Sequence, residues 1–477
     1  MCWLCSRRGT LGFFLAPRFF LALSAVLLPL AGCAEVPSVD GQIASTKTVA
    51  PRIEGADGPL SEKRSQAILS GITREAGDSG MLQRHLAIEE AVSESPLVAG
   101  NRTTLLRDGP RSFHAVFAAI AAARDYVNLE YYILEDIKSD EQSLSDLLVA
   151  KRQQGVAVNI IFDSYGSLNT PKAFFDKLRQ AGVNLVEFNP VDPLAAKSGY
   201  SLNDRDHRKI LIVDGGLAII GGVNISTSYQ SMTFGKSGSS GTSDGPIPQH
   251  WRDTDLQIEG PAVAQLSRLF ARHWAEQKGP PIDQSHFYPT VEPRGKDVIR
   301  VVGSQPSREI SRYYVTLISA IRNAEKSIWL SAAYFVPSHE EKEALEEAAK
   351  RGVDVRLLLP DESDSAAAVA VAHSHYEDLM EAGVKIYETQ GIVLHSKTVV
   401  IDHVWSAIGS SNFDQRSVLF NDEVDAVVLG GDTADALAAM FEEDVARAKR
   451  IDPESWEDRP LSEKMHELFA RTWQNLL

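Results

Sequence analysis

The sequence has little cysteine and too few basic residues to balance its acidic ones. Its 477 residues include three cysteines, and 48 Lys+Arg against 64 Asp+Glu give a formal net charge of -16. So few cysteines exclude a disulfide-stapled scaffold and a multi-cysteine zinc protein. The acidic balance argues against the general basic surface that grips nucleic acid, so no nucleic-acid partner is expected. The length predicts two or three domains with sizeable cores.

The three cysteines, Cys2, Cys5 and Cys33, all lie in the first 33 residues. In this segment three arginines precede an apolar run at residues 19–30, and small residues follow the run directly before Cys33. This order is typical of a secretory signal peptide. The run is shorter than the roughly 20 apolar residues that a membrane-spanning helix needs. We therefore expect residues 1–32 to be a lipoprotein-type signal peptide.

The last four residues of this segment, Leu-Ala-Gly-Cys, resemble the lipobox of bacterial lipoproteins, in which the cysteine is acylated and becomes the first mature residue. The resemblance implies that Cys33 is lipidated and that the protein is anchored to a bacterial membrane, facing the periplasm. The inner and outer membranes both remain open. A mature chain would carry 45 basic and 64 acidic residues, a formal charge of -19. The alternative is a plain signal peptide or N-terminal anchor with an incidental cysteine.

The rest of the chain is predicted to contain a linker and two repeats. Residues 33–95 begin with small, polar and turn residues and continue into two short helical patterns. Beyond them, a helix running into an apolar strand occurs at residues 119–134 and again at 320–336, and Ala-Gly-Val recurs at 181–183 and 382–384. Continuous apolar strands between amphipathic helices indicate a mixed sheet covered by helices.

The predicted fold class is therefore α/β, with two pseudo-symmetric halves, each a mixed β-sheet flanked by helices, and the active site at their interface. The first half is placed at residues 96–285. The second is placed at 296–477, with helices at the C-terminus. A segment rich in Pro and Gly joins them.

Each half carries the same residue types at the same spacing. A histidine is followed by Lys, Asp, Gly and Asn at offsets of 2, 7, 14 and 17 in both halves. One His-x-Lys-x4-Asp pattern is expected by chance on the order of 0.03 times in such a chain, so two copies in matching places exclude chance. The first set is His207, Lys209, Asp214, Gly221 and Asn224, and the second is His395, Lys397, Asp402, Gly409 and Asn412.

The spacing favours phosphodiester chemistry. Side chains two residues apart share one face of a strand, so each His and its Lys point the same way. If the halves meet, two imidazoles and two ammonium groups surround one site. The lysines, together with Asn224 and Asn412, suit the nonbridging oxygens of a phosphodiester. One histidine attacks phosphorus while the other protonates the leaving group. Because the lysines neutralise the phosphate, no metal or other cofactor is expected.

The paired motifs resemble those of the phospholipase D superfamily over roughly residues 97–450. The strings WRDTDLQIEGPAV, from Trp251, and SSNFDQRSVLFNDE, from Ser410, are similar to those of bacterial cardiolipin synthases, particularly the C type. The resemblance implies transfer of a phosphatidyl group, with phosphatidylglycerol as acceptor and either phosphatidylglycerol or phosphatidylethanolamine as donor. It also implies that His207 is the nucleophile, forming a phosphatidyl-histidine, and that His395 is the general acid and then the base.

Each histidine needs a carboxylate on its second ring nitrogen to fix its tautomer. The candidates are Asp253 and Glu423, and which one orients which histidine is left open. Asp214 and Asp402 belong to the catalytic motif, but both follow apolar runs. Their position favours a structural role, in which the carboxylate holds the turn after the strand by accepting hydrogen bonds from backbone amides.

Several further residues have two interpretations. Four residues at the ends of predicted strands either line the site or belong to the core: Glu130, Tyr131, Tyr132 and Tyr334. We expect His373 and His375, on a predicted helix, to face solvent rather than bind metal. Arg416, beside the second motif, suits support of the phosphate or of the sheet. Two insertions around the first motif, within residues 190–206 and 233–251, are expected to be mobile loops over the active-site mouth.

The sequence leaves three functions open. The leading one is a phosphatidyltransferase that makes cardiolipin. The second is a phospholipase D or phosphodiesterase that uses water as acceptor, with nucleic acid disfavoured as substrate by the acidic charge. The third is a non-catalytic, membrane-binding lipoprotein, against which the two intact motifs argue. The donor lipid, the balance of transfer and hydrolysis, any accessory protein and the oligomeric state are not fixed by the sequence.

Overall fold

The computed structural model describes residues 36, 38–41, 50–75, 80–93, 95–139, 141–191, 201, 203–230, 250–306, 311–472 and 474. All of them belong to the compact unit Val36–Leu477. The predicted signal peptide, the predicted lipidation site Cys33 and part of the predicted linker lie outside the described residues. So do most of the two insertions around the first motif.

The described residues form the following strands: β1 Ile53–Gly55, β2 Gly58–Pro59, β3 Leu97–Arg107, β4 Tyr126–Tyr131, β5 Lys138–Ser139, β6 Gln142–Ser143, β7 Ala157–Asp163, β8 Asn184–Phe188, β9 Arg205–Asp206, β10 Lys209–Val213, β11 Leu217–Gly221, β12 Trp251–Arg252, β13 Thr254–Glu259, β14 Asp297–Ser304, β15 Ser327–Ala332, β16 Asp354–Pro360, β17 Lys385–Thr389, β18 Val393–Leu394, β19 Lys397–Ile401, β20 Trp405–Gly409, β21 Asn421–Leu429 and β22 Lys449–Arg450.

Their helices are α1 Glu62–Glu75, α2 Met81–Val92, α3 Asp108–Ala122, α4 Leu144–Gln153, α5 Lys172–Gln180, α6 Val263–Glu276, α7 Arg312–Asn323, α8 His339–Lys350, α9 Ala366–His373, α10 Tyr376–Glu381, α11 Gln415–Leu419, α12 Gly431–Val445, α13 Pro453–Glu457 and α14 Leu461–Arg471. A short 3-10 helix covers Thr227–Tyr229. Among the described residues, no helix combines the length and apolar character needed to cross a membrane.

The first half is built on a mixed sheet in the order β3-β13-β11-β10-β4-β7-β8. Strands β4, β7 and β8 are parallel, because helices α4 and α5 connect them, and the other neighbours are antiparallel. The strand that follows the first motif histidine, β10, is buried at all five positions. This burial explains why its sequence is a continuous apolar run after Lys209.

The second half repeats this order strand for strand, as β14-β21-β20-β19-β15-β16-β17. Lys209 pairs with Tyr131 on β4, and Lys397 pairs with Ala332 at the corresponding position of β15. The predicted fold class, two pseudo-symmetric α/β halves with mixed sheets, is confirmed.

The two sheets are joined along one edge and across one face. Strands β3 and β14 pair antiparallel, so the first strand of each half links the sheets. Fully buried residues of both sheets also share one apolar cluster, including Ile212 and Ile220 from the first and Ile408 and Val424 from the second. Burying each such side chain contributes about 1.5–3 kcal/mol relative to leaving it exposed, so apolar packing holds the halves together.

The motif aspartates tie neighbouring elements together. Asp214 accepts hydrogen bonds from the backbone N–H groups of residues 124–126 at 2.8–2.9 Å, and Asp402 accepts from those of residues 325–327 at 2.7–2.9 Å. Both have a positive φ, near 50°, which Asp tolerates better than most residues. Each therefore fixes the start of the adjacent strand, β4 or β15, rather than its own turn.

The repeated Ala-Gly-Val segments turn each half from a helix into a strand. Gly182 has a φ of 83° and Gly383 a φ of 101°, a region that side chains with a Cβ disfavour. Both glycines follow a helix, α5 or α10, and precede a parallel strand, β8 or β17. The recurrence therefore reflects a backbone requirement common to both halves.

Helices at both ends of the described chain pack on the second half. Leu82 and Leu86 of α2 are buried in the same cluster as residues of α7, and α14 packs on α9. His375 is 3% exposed, so the expectation that it faces solvent is wrong. Because α13 packs against α10 and Trp456 contacts the ring of His373 at 5.2 Å, the C-terminal helices cover this region.

Candidate active site

The two motif histidines are positioned by an exchange of short strands between the halves. Directly before His207, β9 pairs with the start of β21 in the second half, and the His207 N–H donates to the carbonyl of Asp422 at 2.9 Å. Directly before His395, β18 pairs with β12 of the first half, and the His395 N–H donates to the carbonyl of Arg252 at 2.8 Å. Each histidine is thus held by the backbone of the opposite half.

The orienting carboxylates also come from the opposite half. His207 Nδ1 lies 3.1 Å from both carboxylate oxygens of Glu423, and His395 Nδ1 lies 2.8 Å from Asp253 Oδ2. Both carboxylates are fully buried. Since Nδ1 of each ring faces a carboxylate, Nε2 is the nitrogen that can meet a substrate; on His395 this nitrogen lies 3.1 Å from Lys397 Nζ. The pairing that the sequence left open is therefore crossed, with each carboxylate serving the histidine of the other repeat.

Glu423 is surrounded by hydrogen-bond donors. Ser410 Oγ, Ser417 Oγ and Asn421 Nδ2 donate to it at 2.5, 2.8 and 3.2 Å. Burial alone would raise the pKa of Glu423, but His207, Lys209 and the hydrogen bond from Ser410 outweigh burial and lower the pKa below its usual value. The carboxylate therefore stays ionised at neutral pH and stabilises positive charge on His207.

Asp253 sits in a tighter space. The Thr254 N–H donates to its Oδ1 at 2.7 Å, and a Cβ on Gly222 would lie 2.2 Å from that oxygen. The matching position in the second half is Ser410, which donates to the longer Glu423 instead. The two halves thus have equivalent pairs at this position: Asp253 faces Gly222 in one, and the longer Glu423 faces Ser410 in the other.

The motif lysines are buried beside the histidines. Lys209 Nζ donates to the carbonyl of His207 at 2.5 Å, and Lys397 Nζ donates to that of His395 at 2.6 Å. Lys397 Nζ also lies 2.9 Å from His395 Nδ1. Burial lowers the pKa of Lys209 to about 7 and that of Lys397 to about 8, against the opposing effect of nearby carboxylates. Each lysine is therefore close to its own pKa near neutral pH, and a nearby anion would favour the charged ammonium form.

Both imidazoles favour the neutral form before an anion arrives. Burial, with the charges of Lys209 and Lys397, lowers the pKa of His207 to about 4, although Glu423 opposes the shift. Burial and Lys397 also lower the pKa of His395, while Asp253 opposes them. A neutral imidazole is the form that acts as a nucleophile or a base.

A cavity of about 410 Å³ opens onto both histidines, and both halves line it. Asn224 and Asn412 reach it, as do Tyr132 and Tyr334, whereas Glu130 and Tyr131 lie in the core. Tyr132 packs edge-on against His207 and Tyr334 against His395. The cavity also carries charged groups on its walls: Arg205, Arg416, Asp364 and Asp414.

The two motif asparagines are not equivalent in their contacts. Asn224 accepts from the Ile133 N–H at 3.2 Å and donates to Tyr229 Oη at 3.3 Å, so it also ties the cavity wall together. Asn412 is buried, and within the part of the chain that the structure describes its Oδ1 has no partner. Asn412 therefore has more freedom than Asn224 to bond a ligand.

Tyr229 is a site residue that the sequence analysis did not identify. Its hydroxyl lies 3.0 Å from His395 Nδ1, the nitrogen that Asp253 and Lys397 also contact. Tyr229 follows Asn224 by five residues, and Ser417, a partner of Glu423, follows Asn412 by five. Extending the comparison of the two motifs by five residues would have marked both positions.

One group of three possible metal ligands occurs among the described residues: Glu130, Asp206 and His273. Arg208 Nη1 donates to Glu130 at 3.0 Å, and His273 Nδ1 lies 2.9 Å from the same carboxylate oxygen. Burial and the charge of Glu130 raise the pKa of Asp206 well above its usual value. Because Arg208 already supplies the positive charge, the group fits a buried ion-pair network better than a metal site.

The space around Asp253 gives a test by substitution. Gly222→Ala should lower the free energy of unfolding by about 1–3 kcal/mol, because its Cβ would displace a buried, hydrogen-bonded carboxylate. Gly216→Ala, at the other end of β11, is the matched control, since a Cβ there meets nothing nearer than 4.0 Å. Urea unfolding measures both. Equal free energies of unfolding for the two variants would contradict the prediction and show that Asp253 can move without loss of stability.

Comparison with known proteins agrees with this geometry. The family model described as "Cardiolipin synthase, PLD-like domain" matches residues 116–234 and 317–445, one segment in each half. A cardiolipin synthase of Geobacillus kaustophilus is 33% identical over 397 residues, which cover 82% of this chain and 76% of the relative. A probable cardiolipin synthase of Bacillus subtilis is 31% identical over 381 residues, covering 78% and 72%.

Among solved structures, phosphatidylserine synthase of Haemophilus influenzae matches with a TM-score of 0.59 at 10% identity, over 81% of this chain and 96% of that one. This likeness shows a common fold. The family match and the identity to the curated relatives go further, because they extend over both halves and both motifs. The chain belongs to the cardiolipin synthase family of phospholipase D-like proteins.

Proposed function

We propose that the protein is a phosphatidyltransferase that makes cardiolipin from phosphatidylglycerol and a phosphatidyl donor, either phosphatidylglycerol or phosphatidylethanolamine. The observation that carries the proposal is one cavity onto which two histidines open, each bound to a buried carboxylate of the other half. Two imidazoles on one cavity suit two successive displacements at one phosphorus atom. The family relationship supports phospholipids as the substrates.

In the first step, the donor phosphate lies between the histidines and takes its counter-charge from Lys209 and Lys397. His207 Nε2 attacks phosphorus, and the P–O bond to the donor headgroup breaks. His395, protonated once the phosphate is bound, gives its Nε2 proton to the departing alkoxide. The products are a phosphatidyl-His207 and a free glycerol or ethanolamine. Glu423 stabilises the charge that develops on His207.

The second step reverses the proton transfer. His395, now neutral, takes the proton of a terminal hydroxyl of phosphatidylglycerol while that oxygen attacks phosphorus. The P–N bond to His207 breaks, and cardiolipin leaves. Asp253 and Tyr229, both at His395 Nδ1, hold the ring through the change of charge. The two histidines have different tasks, because His207 carries the phosphatidyl group and His395 carries a proton. Their partners at Nδ1 differ accordingly: Glu423 for His207, and Asp253 with Tyr229 for His395.

Isotopic labelling tests the activity. Purified protein with phosphatidylglycerol labelled in its headgroup or acyl chains, alone or with phosphatidylethanolamine, should move label into cardiolipin. His207→Ala should reduce transfer by at least about a thousandfold and form no covalent adduct, since the nucleophile is missing. Tyr288→Phe, at an exposed residue outside the cavity, is the control. Acyl-chain label in phosphatidic acid, with headgroup label in free glycerol, would favour hydrolysis instead, and no turnover by the wild-type chain would contradict both activities.

The lysine pKa values predict the alkaline limb of the pH profile. Lys209 and Lys397 are charged below about pH 7 and pH 8, so kcat/KM should fall at least about tenfold between pH 7 and pH 9 as they lose protons. Asp253 raises both lysine pKa values, and Asp253→Asn should therefore move this limb to lower pH. Asp432→Asn, at an exposed site, should leave it unchanged. An alkaline limb above pH 9 would contradict the assignment.

We also propose that residues 1–32 are removed and that Cys33 carries a lipid anchor on the periplasmic side of the membrane. The support is the lipobox-like sequence alone. Cells fed a labelled fatty acid should label the wild-type chain but not a Cys33→Ala chain. A Cys5→Ala chain is the control and should label normally. Labelling of the Cys33→Ala chain would refute the anchor.

A further inference from the structure

The C-terminal helix α14 exposes an apolar face. Four of its residues are large, apolar and solvent-exposed: Leu461 (74%), Met465 (57%), Leu468 (58%) and Phe469 (64%). Their offsets of 4, 7 and 8 from the first place them on one side of a helix. Among the described residues, only three other large apolar or aromatic side chains are exposed, so this one helix carries four of the seven.

The rest of α14 is used for packing. Ala470 packs with the cluster of Val336, Ala368 and Val371. Glu467 is buried and forms an ion pair with Arg459. The helix is therefore held on the body by one side, while its apolar side faces outward. An apolar face on the solvent-exposed surface of a protein usually marks an interaction site.

The helix beneath α14 is a wall of the active-site cavity. Ser365 and Ala368, at the start of α9, line the cavity together with Val336, and α14 packs along α9. The exposed face thus lies one helix away from the site at which the phosphate is proposed to react.

The first half adds exposed apolar residues next to the same cavity. Tyr165 and Leu168, which follow β7, are 58% and 61% exposed. The guanidinium of Arg205, a cavity residue, lies 5.6 Å from the centre of the Tyr165 ring. Tyrosine is enriched where a protein meets the headgroup layer of a membrane.

We propose that the apolar face of α14, together with Tyr165 and Leu168, is a docking surface for the phospholipid bilayer that supplies the substrate. The inference rests on the proposed function, because a diacyl lipid must present its headgroup while its acyl chains stay in the membrane. The cavity, at about 410 Å³, is of the size that holds a drug-sized ligand and leaves the chains outside. The α14 face packs on a helix that lines the cavity, and Tyr165 lies on the cavity residue Arg205; this placement beside the reaction site favours a bilayer over a second copy of the chain.

A fluorescent probe tests docking directly. In the full chain, with its three native cysteines replaced by serine, Met465→Cys carries an environment-sensitive fluorophore. On vesicles of phosphatidylglycerol and phosphatidylethanolamine, its emission should shift to the blue, rise about twofold or more and be quenched by an acyl-chain quencher. A probe on Gln153→Cys, an exposed residue at the end of α4, should not change. Identical responses of the two probes would overturn the proposal.

Activity on two forms of the substrate tests its consequence. Leu468→Glu with Phe469→Glu should lower transfer on vesicles by about tenfold or more, while transfer with water-soluble short-chain phosphatidylglycerol stays within about twofold. Gln83→Glu with Gln153→Glu, which adds the same charge at exposed helix positions, should alter neither rate. Equal losses on both substrates would indicate a structural role for the helix and overturn the proposal.

The outcomes separate docking from activity. A wild-type chain that transfers nothing from either substrate contradicts the proposed function, while the probe at residue 465 still decides docking. A lipid-free dimer that the Leu468→Glu, Phe469→Glu chain cannot form, with no change at the probe on vesicles, would identify the face as an interface between copies.

Discussion

The structure of the site depends on two hydrogen bonds that cross between the halves, donated by His207 to Glu423 and by His395 to Asp253. Neither half contains a histidine together with its own carboxylate, so neither can fix a tautomer alone. The same crossing occurs in the backbone, because each histidine N–H is bound by the half that supplies its carboxylate. One site therefore requires both repeats.

Two buried ion-pair networks support this crossing. Behind His207, Arg208 bonds Glu130, Asp422 and the carbonyl of Glu423. Behind His395, Arg252 bonds Asp444 at 2.8 Å. Buried charges of this kind cost desolvation energy and gain little net stability. Their effect here is to position the site. Arg208 joins the first half to the second beside Glu423, and Arg252 does so beside Asp253.

Much of the fold could be predicted from the sequence, because the two halves repeat the same residue types at the same spacing. The matched offsets of the two motifs and the recurring Ala-Gly-Val turns predicted two similar halves with mixed sheets, and the strand orders agree. Both carboxylates were identified as candidates, but their pairing was not, since spacing along the chain is symmetric with respect to which half serves which histidine. That choice is made by β9 and β12, two-residue strands too short to leave a periodic signal.

Other features were missed for equally physical reasons. Tyr229 acts through a distance of 3.0 Å to His395, which no local pattern encodes. His375 is buried because helices far along the chain fold back over it. Asp214 and Asp402 hold amides of the preceding segment rather than of their own turn, a contact about 75–90 residues away in sequence. Tertiary contacts of this kind become visible only once the sheets are assembled.

The central claim is that His207 takes its tautomer from Glu423 of the other half. Nitrogen-15 NMR of the histidine side chains tests it most directly. At pH 7 the account predicts a neutral His207 with its proton on Nδ1, and a change in its ring shifts in Glu423→Gln but not in Asp253→Asn. A proton on Nε2, or ring shifts of His207 that follow Asp253 instead of Glu423, would contradict the crossed arrangement.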